Sequence, residues 1–121
     1  MHGRLKTRVF VEGTDWGLES AVARTLSNAL GEAAEVRIGE PEENEERGAV
    51  VVTTDDALSP ESVSALTLKG EQVVVLAALP NQTAEDRYRL AGASHYLPMA
   101  ATAAPLVAAV AGLVASLAEA F

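Results

Sequence analysis

The side chains that could do chemistry in this sequence are nearly all oxygen-bearing. There is no Cys, which removes thiolate catalysis, redox chemistry and Cys-based zinc sites. His95 is the only histidine away from the N-terminus, and its neighbour Ser94 is adjacent in sequence, not in the spatial arrangement that lets a base activate a nucleophile. No G-x-G-x-x-G or P-loop pattern occurs, so nucleotide binding has no motif behind it. The acidic run Glu40 to Glu46 has no apolar residue for a helix to bury and no preorganised ligand spacing, and reads as a solvated loop. Among the remaining carboxylates and hydroxyls, Glu12, Asp15, Thr53, Thr54, Asp55 and Asp56 close or follow two of the apolar runs.

The elements that must position them follow from pattern. Arg8 to Glu12 is a short β-rich run stopped by Gly13, with Thr14 or Asp15 placed to cap a helix carrying Leu18, Val22, Leu26 and Leu30. Glu35 to Ile38 gives a second strand. Ala49 to Thr54 and Val73 to Ala77 are continuous β-branched runs, as in the middle of a parallel sheet. Ser59-Pro60-Glu61 announces a helix with Val63, Leu66 and Leu68 inward, and Gly70 ends it. Thr83-Ala-Glu-Asp86 reads as a capping box for a helix to Leu90, closed by Gly92. A last short strand holds Tyr96 and Leu97, and Thr102 to Ala118 is a final helix. Alternating strands and helices predict an α/β fold with a doubly wound, five-stranded parallel sheet. Ligand sites in such sheets lie beyond the carboxyl ends of the strands, at Glu12, Thr53 to Asp56, Ala77 and Met99.

A chain of 121 residues has the size of one domain, 1–121. With 49% hydrophobic residues but only one Trp, two Tyr and two Phe, its core must be aliphatic and Ala-filled. The formal charge of −8 opposes direct binding to a nucleic-acid backbone. No signal peptide is legible, and a cytoplasmic location is expected. Leu97 to Ala118 is uncharged and long enough to suggest a membrane span. However, Leu106, Val110, Leu113, Val114 and Leu117 form one helical stripe, which argues for a soluble helix with no membrane partner.

The segments Val73-Val-Val-Leu-Ala-Ala-Leu-Pro-Asn81 and Gly92-Ala-Ser-His-Tyr-Leu-Pro-Met99 resemble the second half of a response-regulator receiver domain. The order of elements extends that resemblance over nearly the whole chain. The tail Leu106 to Gly112 is similar to receivers that precede a helix-turn-helix output domain, so the chain is read either as a stand-alone receiver or as a piece of a longer regulator. The resemblance implies a flavodoxin-like fold. It also implies a phosphoacceptor Asp at the end of the third strand, acids at the end of the first that hold Mg²⁺, a Thr or Ser ending the fourth strand, a Lys after the fifth, and a switch aromatic at Tyr96.

This sequence departs from that pattern. Glu12 matches the first acidic position, but Gly13 replaces its acidic neighbour, and Ala77 and Met99 stand where the hydroxyl and the cation belong. Counting along the hydrophobic run puts Thr53 or Thr54 at the acceptor position; counting back from Pro60 selects Asp56. The strand count is preferred, because burial fixes which residue emerges at the sheet edge. Between Ile38 and Ala49 there is too little chain for a full second helix, which is expected to be shortened or missing.

The expected function is therefore that of a degenerate receiver, a pseudo-receiver in two-component or transcriptional signalling, needing no cofactor and catalysing nothing. It would associate with a protein partner or as a homodimer through the last helix, with a surface drawn from Tyr88, Leu97, Leu106, Val110, Leu113, Val114 and Leu117 and the small residues Ala103, Ala104, Ala108, Ala111, Ala115 and Ala118. The alternative is a genuine phosphoacceptor, Asp56 or Asp55, with Mg²⁺ on Glu12, Asp15 and Asp56.

Overall fold

The structure, a computed structural model, describes residues 7–39, 48–99 and 103–120. Five strands form one parallel sheet: β1 (Thr7–Glu12), β2 (Ala34–Ile38), β3 (Val50–Thr54), β4 (Gln72–Ala77) and β5 (His95–Pro98). Their order is β2-β1-β3-β4-β5. The helices are α1 (Trp16–Leu30), α2 (Pro60–Leu68), α3 (Gln82–Leu90) and α4 (Ala103–Ala120), with a single 3₁₀ turn at Gly31–Ala33.

The three central strands are buried on both faces, which explains their unbroken Val runs. Alternation sends Val50, Val52, Val74 and Leu76 to one face, where they meet Val9, Val11, Leu26 of α1 and Val110, Val114 and Leu117 of α4. It sends Val51, Val73, Val75 and Ala77 to the other, against Val63 of α2 and Tyr88 of α3. Each fully buried valine here contributes about 1.5–3 kcal/mol relative to an exposed one. Helix α4 is held by that aliphatic stripe. No helix among the described residues is long and apolar enough to cross a membrane.

Most helix ends obey local chemistry. Asp15, not Thr14, caps α1: its Oδ1 accepts from the N–H groups of Gly17 at 2.8 Å and Leu18 at 3.3 Å. Ser59 caps α2 with Pro60 at the first helical position. The cap of α3 corrects the sequence reading. Asn81 Oδ1 accepts from Ala84 N–H at 2.8 Å, so the helix starts at Gln82 and Thr83 lies inside it, exposed. One expected inward residue, Leu68, also points outward, as does Leu90 at the end of α3. Leu68 is 85% exposed and Leu90 89% exposed. Leu68 follows the buried Val63 by five positions and Leu90 follows the buried Tyr88 by two, and both steps carry a side chain to the far side of a helix with 3.6 residues per turn.

Gly92 ends the α3 turn with φ +107°. A Cβ there would lie 2.7 Å from Thr67 Oγ1, which donates to the Ala91 carbonyl at 3.0 Å. The position therefore excludes a side chain twice, by backbone conformation and by contact. The expected loss of a helix between β2 and β3 falls on residues 40–47, outside the described residues.

Candidate functional site

The carboxyl ends of β1, β3, β4 and β5 bring most of the expected site residues together. Glu12 closes β1 opposite Thr53 of β3. Thr54 lies beside Leu76 and Ala77 beside Pro98. The ladder continues one residue past each strand, through Asp55 N–H to the Leu76 carbonyl at 3.0 Å and Met99 N–H to the Ala77 carbonyl at 2.8 Å. Ala77 and Met99 are thus neighbours at the sheet edge, as their sequence positions imply.

The hydroxyls and carboxylates divide into distinct roles. Thr53 is 1% exposed, and its Oγ1 has no hydrogen-bond partner among the described residues. Thr54, also buried, donates its hydroxyl to Asp56 Oδ1 in a short contact. From the β1–α1 loop, Thr14 Oγ1 donates to Asp56 Oδ2 at 2.8 Å. Asp56 is exposed, yet both its oxygens are engaged by neutral hydroxyls. The Thr54 hydrogen bond first, and the Thr14 bond second, hold its carboxyl below the ordinary range.

The two ways of counting pick residues in different surroundings. The residues chosen by the strand count, Thr53 and Thr54, are sealed in β3, whereas the only carboxylate of the β3–α2 turn shown accepting these hydroxyls is Asp56. Among the described residues no three His, Asp or Glu side chains are grouped closely enough to hold a metal ion. Asp15 spends its carboxylate on capping α1, so Glu12, Asp15 and Asp56 do not converge.

Sequence reasoning missed three participants. Glu19 of α1 occupies the space beside Gly13: a Cβ built on Gly13 would lie 3.3 Å from Glu19 Cγ and 3.9 Å from Thr54 Cγ2. An acid is therefore present near the vacated position, supplied by the helix instead of the strand. Its spacing from Asp15, one helical turn, was the available signal. Thr14 was weighed only as a helix cap. Tyr88 was assigned to a surface, but it is buried, and its hydroxyl makes a bifurcated donation to the carbonyls of Leu58 at 2.8 Å and Asp55 at 3.2 Å. Burial first, and the nearby Asp55 charge second, raise its pKa.

Tyr96 is buried as well. Its hydroxyl accepts the Asn81 N–H at 3.4 Å, and its ring lies 5.9 Å from that of Tyr88. The two tyrosines therefore tie the β3–α2 turn and the β4–α3 loop to one aromatic pair. Ser94 donates its hydroxyl to Gln72 Oε1 at 2.7 Å, away from its sequence neighbour His95.

The expected association surface needs revision. Val110, Val114, Leu117 and Tyr88 are at most 8% exposed within the chain's own core and have no area to offer a partner. Leu97, Leu106 and Leu113 are partly exposed. Outward from α4 face Ala103, Ala104, Pro105, Ala108, Gly112, Ala115 and Ser116.

An open, five-stranded, all-parallel sheet in the order β2-β1-β3-β4-β5, wrapped by helices on both faces, defines a flavodoxin-like doubly wound protein. Within that class the chain has the fold of response-regulator receiver domains. A CheY-like receiver domain protein from Methanospirillum hungatei superposes with a TM-score of 0.76 at 12% identity, covering 97% of this chain and 100% of that one. A LuxR-family two-component response regulator from Aurantimonas sp. gives 0.75 at 14% identity, covering 93% and 87%. A response regulator from Burkholderia pseudomallei, whose structure contains a phosphorylated aspartic acid, a calcium ion and citrate, gives 0.70 at 14% identity, covering 92% and 70%. No protein-family model and no curated protein sequence matches the chain.

Proposed function

We propose that this chain is a pseudo-receiver, a signalling module of the two-component type that acts through protein association without phosphoryl transfer. The observation that carries this reading is the pairing of Ala77 and Met99 at the sheet edge. Ala77 is fully buried and has no hydroxyl; Met99 packs with the aliphatic layer between α1 and α4 and has no charge. A phosphoryl group entering here would bring negative oxygens to a corner with neither a hydroxyl nor a cation from these two positions. The hydroxyls of Thr14 and Thr54 already satisfy the Asp56 carboxylate. The reading assigns no catalysis and requires no cofactor.

Association is supported by the outer side of α4. From Ala103 to Leu117 the only polar side chain is Ser116. An open apolar groove of about 400 Å³ runs between α4 and the edge strand β5, lined by His95, Leu97, Pro105, Ala108, Gly112 and Leu113. Small residues permit a second helix to approach closely, and the partner we assign is a second copy of this chain. Sedimentation with and without a small-molecule phosphodonor and Mg²⁺ tests this. A dimer whose dissociation constant is unchanged by the donor fits; a monomer at high concentration, or a dimer formed only with the donor, contradicts it.

The competing reading, a phosphoacceptor switch, draws on Asp56. Its carboxylate is exposed at the β3–α2 turn and is kept ionised, and the Burkholderia pseudomallei protein contains a phosphorylated aspartic acid on the same fold.

A further inference from the structure

A second cavity, of about 160 Å³, lies between α1 and α4 over the carboxyl ends of β4 and β5. Its walls include Leu18, Val22 and Thr25 from α1, Leu97 and Met99 from the β5 end, and Leu106 from α4. Among the described residues no charged side chain lines it, and Thr25 supplies the one side-chain hydroxyl. The space is several times the roughly 30 Å³ that one water occupies in the liquid, and water held against such walls finds few partners. Displacing it with apolar surface is favourable. An apolar cavity of comparable size, about 150 Å³, is enough to hold a benzene ring.

We propose that this cavity binds a small, uncharged, single-ring molecule bearing one hydroxyl or carbonyl group. The ring fills the space between Leu18, Leu106 and Met99, and the polar atom meets the Thr25 hydroxyl. Absence of charge in the lining excludes phosphorylated or ionic ligands, whose desolvation nothing there would offset. Apart from Met99, the described walls come from strands and helices, so most of the site is preformed. Its opening depends on small residues: Ala21 and Ala103 both line it and are exposed, and a large side chain at either would close it. Met99 can adjust to the occupant, because an unbranched thioether repacks more readily than a branched aliphatic chain.

The test is a titration of the full chain with phenol and with toluene, which differ by one hydroxyl for methyl exchange, followed through methyl resonances. The expected result is saturable shifts at Met99, Leu18 and Leu106, with none at the exposed Leu68 and Leu90, which lie on α2 and α3 across the sheet from the cavity. Phenol should bind about threefold or more tightly than toluene, consistent with one modest hydrogen bond, and Thr25→Val should erase that difference. Ala21→Phe and Ala103→Phe, both at exposed positions, should each weaken binding about tenfold, one such factor being 1.4 kcal/mol, with the methyl spectrum of the core unchanged. Absence of saturable shifts overturns the proposal, as do shifts that survive both phenylalanine variants. Shifts at the same methyls on simple dilution would also overturn it, because a second copy would then be the occupant.

Discussion

Thr14 and Asp56 lie 42 positions apart in sequence, and the hydroxyl of one donates to the carboxylate of the other at 2.8 Å. This bond closes the β1–α1 loop onto the β3–α2 turn, across the corner where the fold carries its candidate site. With Thr54 donating to the second oxygen, the carboxylate is held by protein groups that carry no charge.

The bond sets a pH dependence whose sign is defined. The Asp56 carboxyl is lowered in the folded chain, so its contribution is present above the unfolded aspartate pKa of about 3.9 and disappears as pH falls through the folded value. Thr14→Ala should raise the Asp56 carboxyl pKa toward the ordinary value, read by carboxyl-carbon titration. Solvent screening keeps the stability loss near the lower end of the range of about 0.5–1.5 kcal/mol for a hydrogen bond. An unmoved titration would show that the contact does not form in solution.

Thr53 supplies the opposite test. Its buried hydroxyl has no partner among the described residues, and such a group costs about 1–3 kcal/mol. Replacing it with the nearly isosteric Val, as Thr53→Val, should therefore stabilise the fold by about 1 kcal/mol in urea or guanidinium unfolding. A destabilised variant would mean that the hydroxyl is hydrogen-bonded.

Restoring the hydroxyl at the end of β4 should fail structurally. Ala77 is fully buried against Val75, Tyr88 and Tyr96, so Ala77→Thr overfills the layer and should cost about 1–3 kcal/mol. Chemical denaturation measures this, and a neutral result would show that the corner has room for the missing group.

Tyr88→Phe removes the donor to the Leu58 and Asp55 carbonyls. The expected loss is about 0.5–1.5 kcal/mol, with faster amide exchange confined to the β3–α2 turn. Because the Tyr88 pKa is raised in the folded chain, wild-type stability should be complete below the unfolded tyrosine pKa of about 10 and fall as pH climbs toward the folded value. The Phe variant should lose that alkaline component.

Particular residues show how far the sequence could be read. The unbroken runs Val50 to Val52 and Val73 to Val75, the Ser59-Pro60 start and Gly92 are local signals, and the alternation of strands and helices follows from them. Leu68 misled because a five-residue offset from a buried side chain reverses a helix face. The α3 cap misled because Asn81 and Thr83 both carry suitable oxygens, and only the backbone geometry selects Asn81. At the site, Ala77 and Met99 were placed by their own segments. The Thr14–Asp56 bond was not legible, since it depends on how loops from different strands meet.

The central claim is that this corner does not accept a phosphoryl group, and intact-mass spectrometry after incubation with acetyl phosphate and Mg²⁺ tests it most directly. The account predicts an unchanged mass for the wild-type chain and for Asp56→Asn alike. An adduct of one phosphoryl group on the wild-type chain, absent from Asp56→Asn, would contradict it and establish Asp56 as the acceptor.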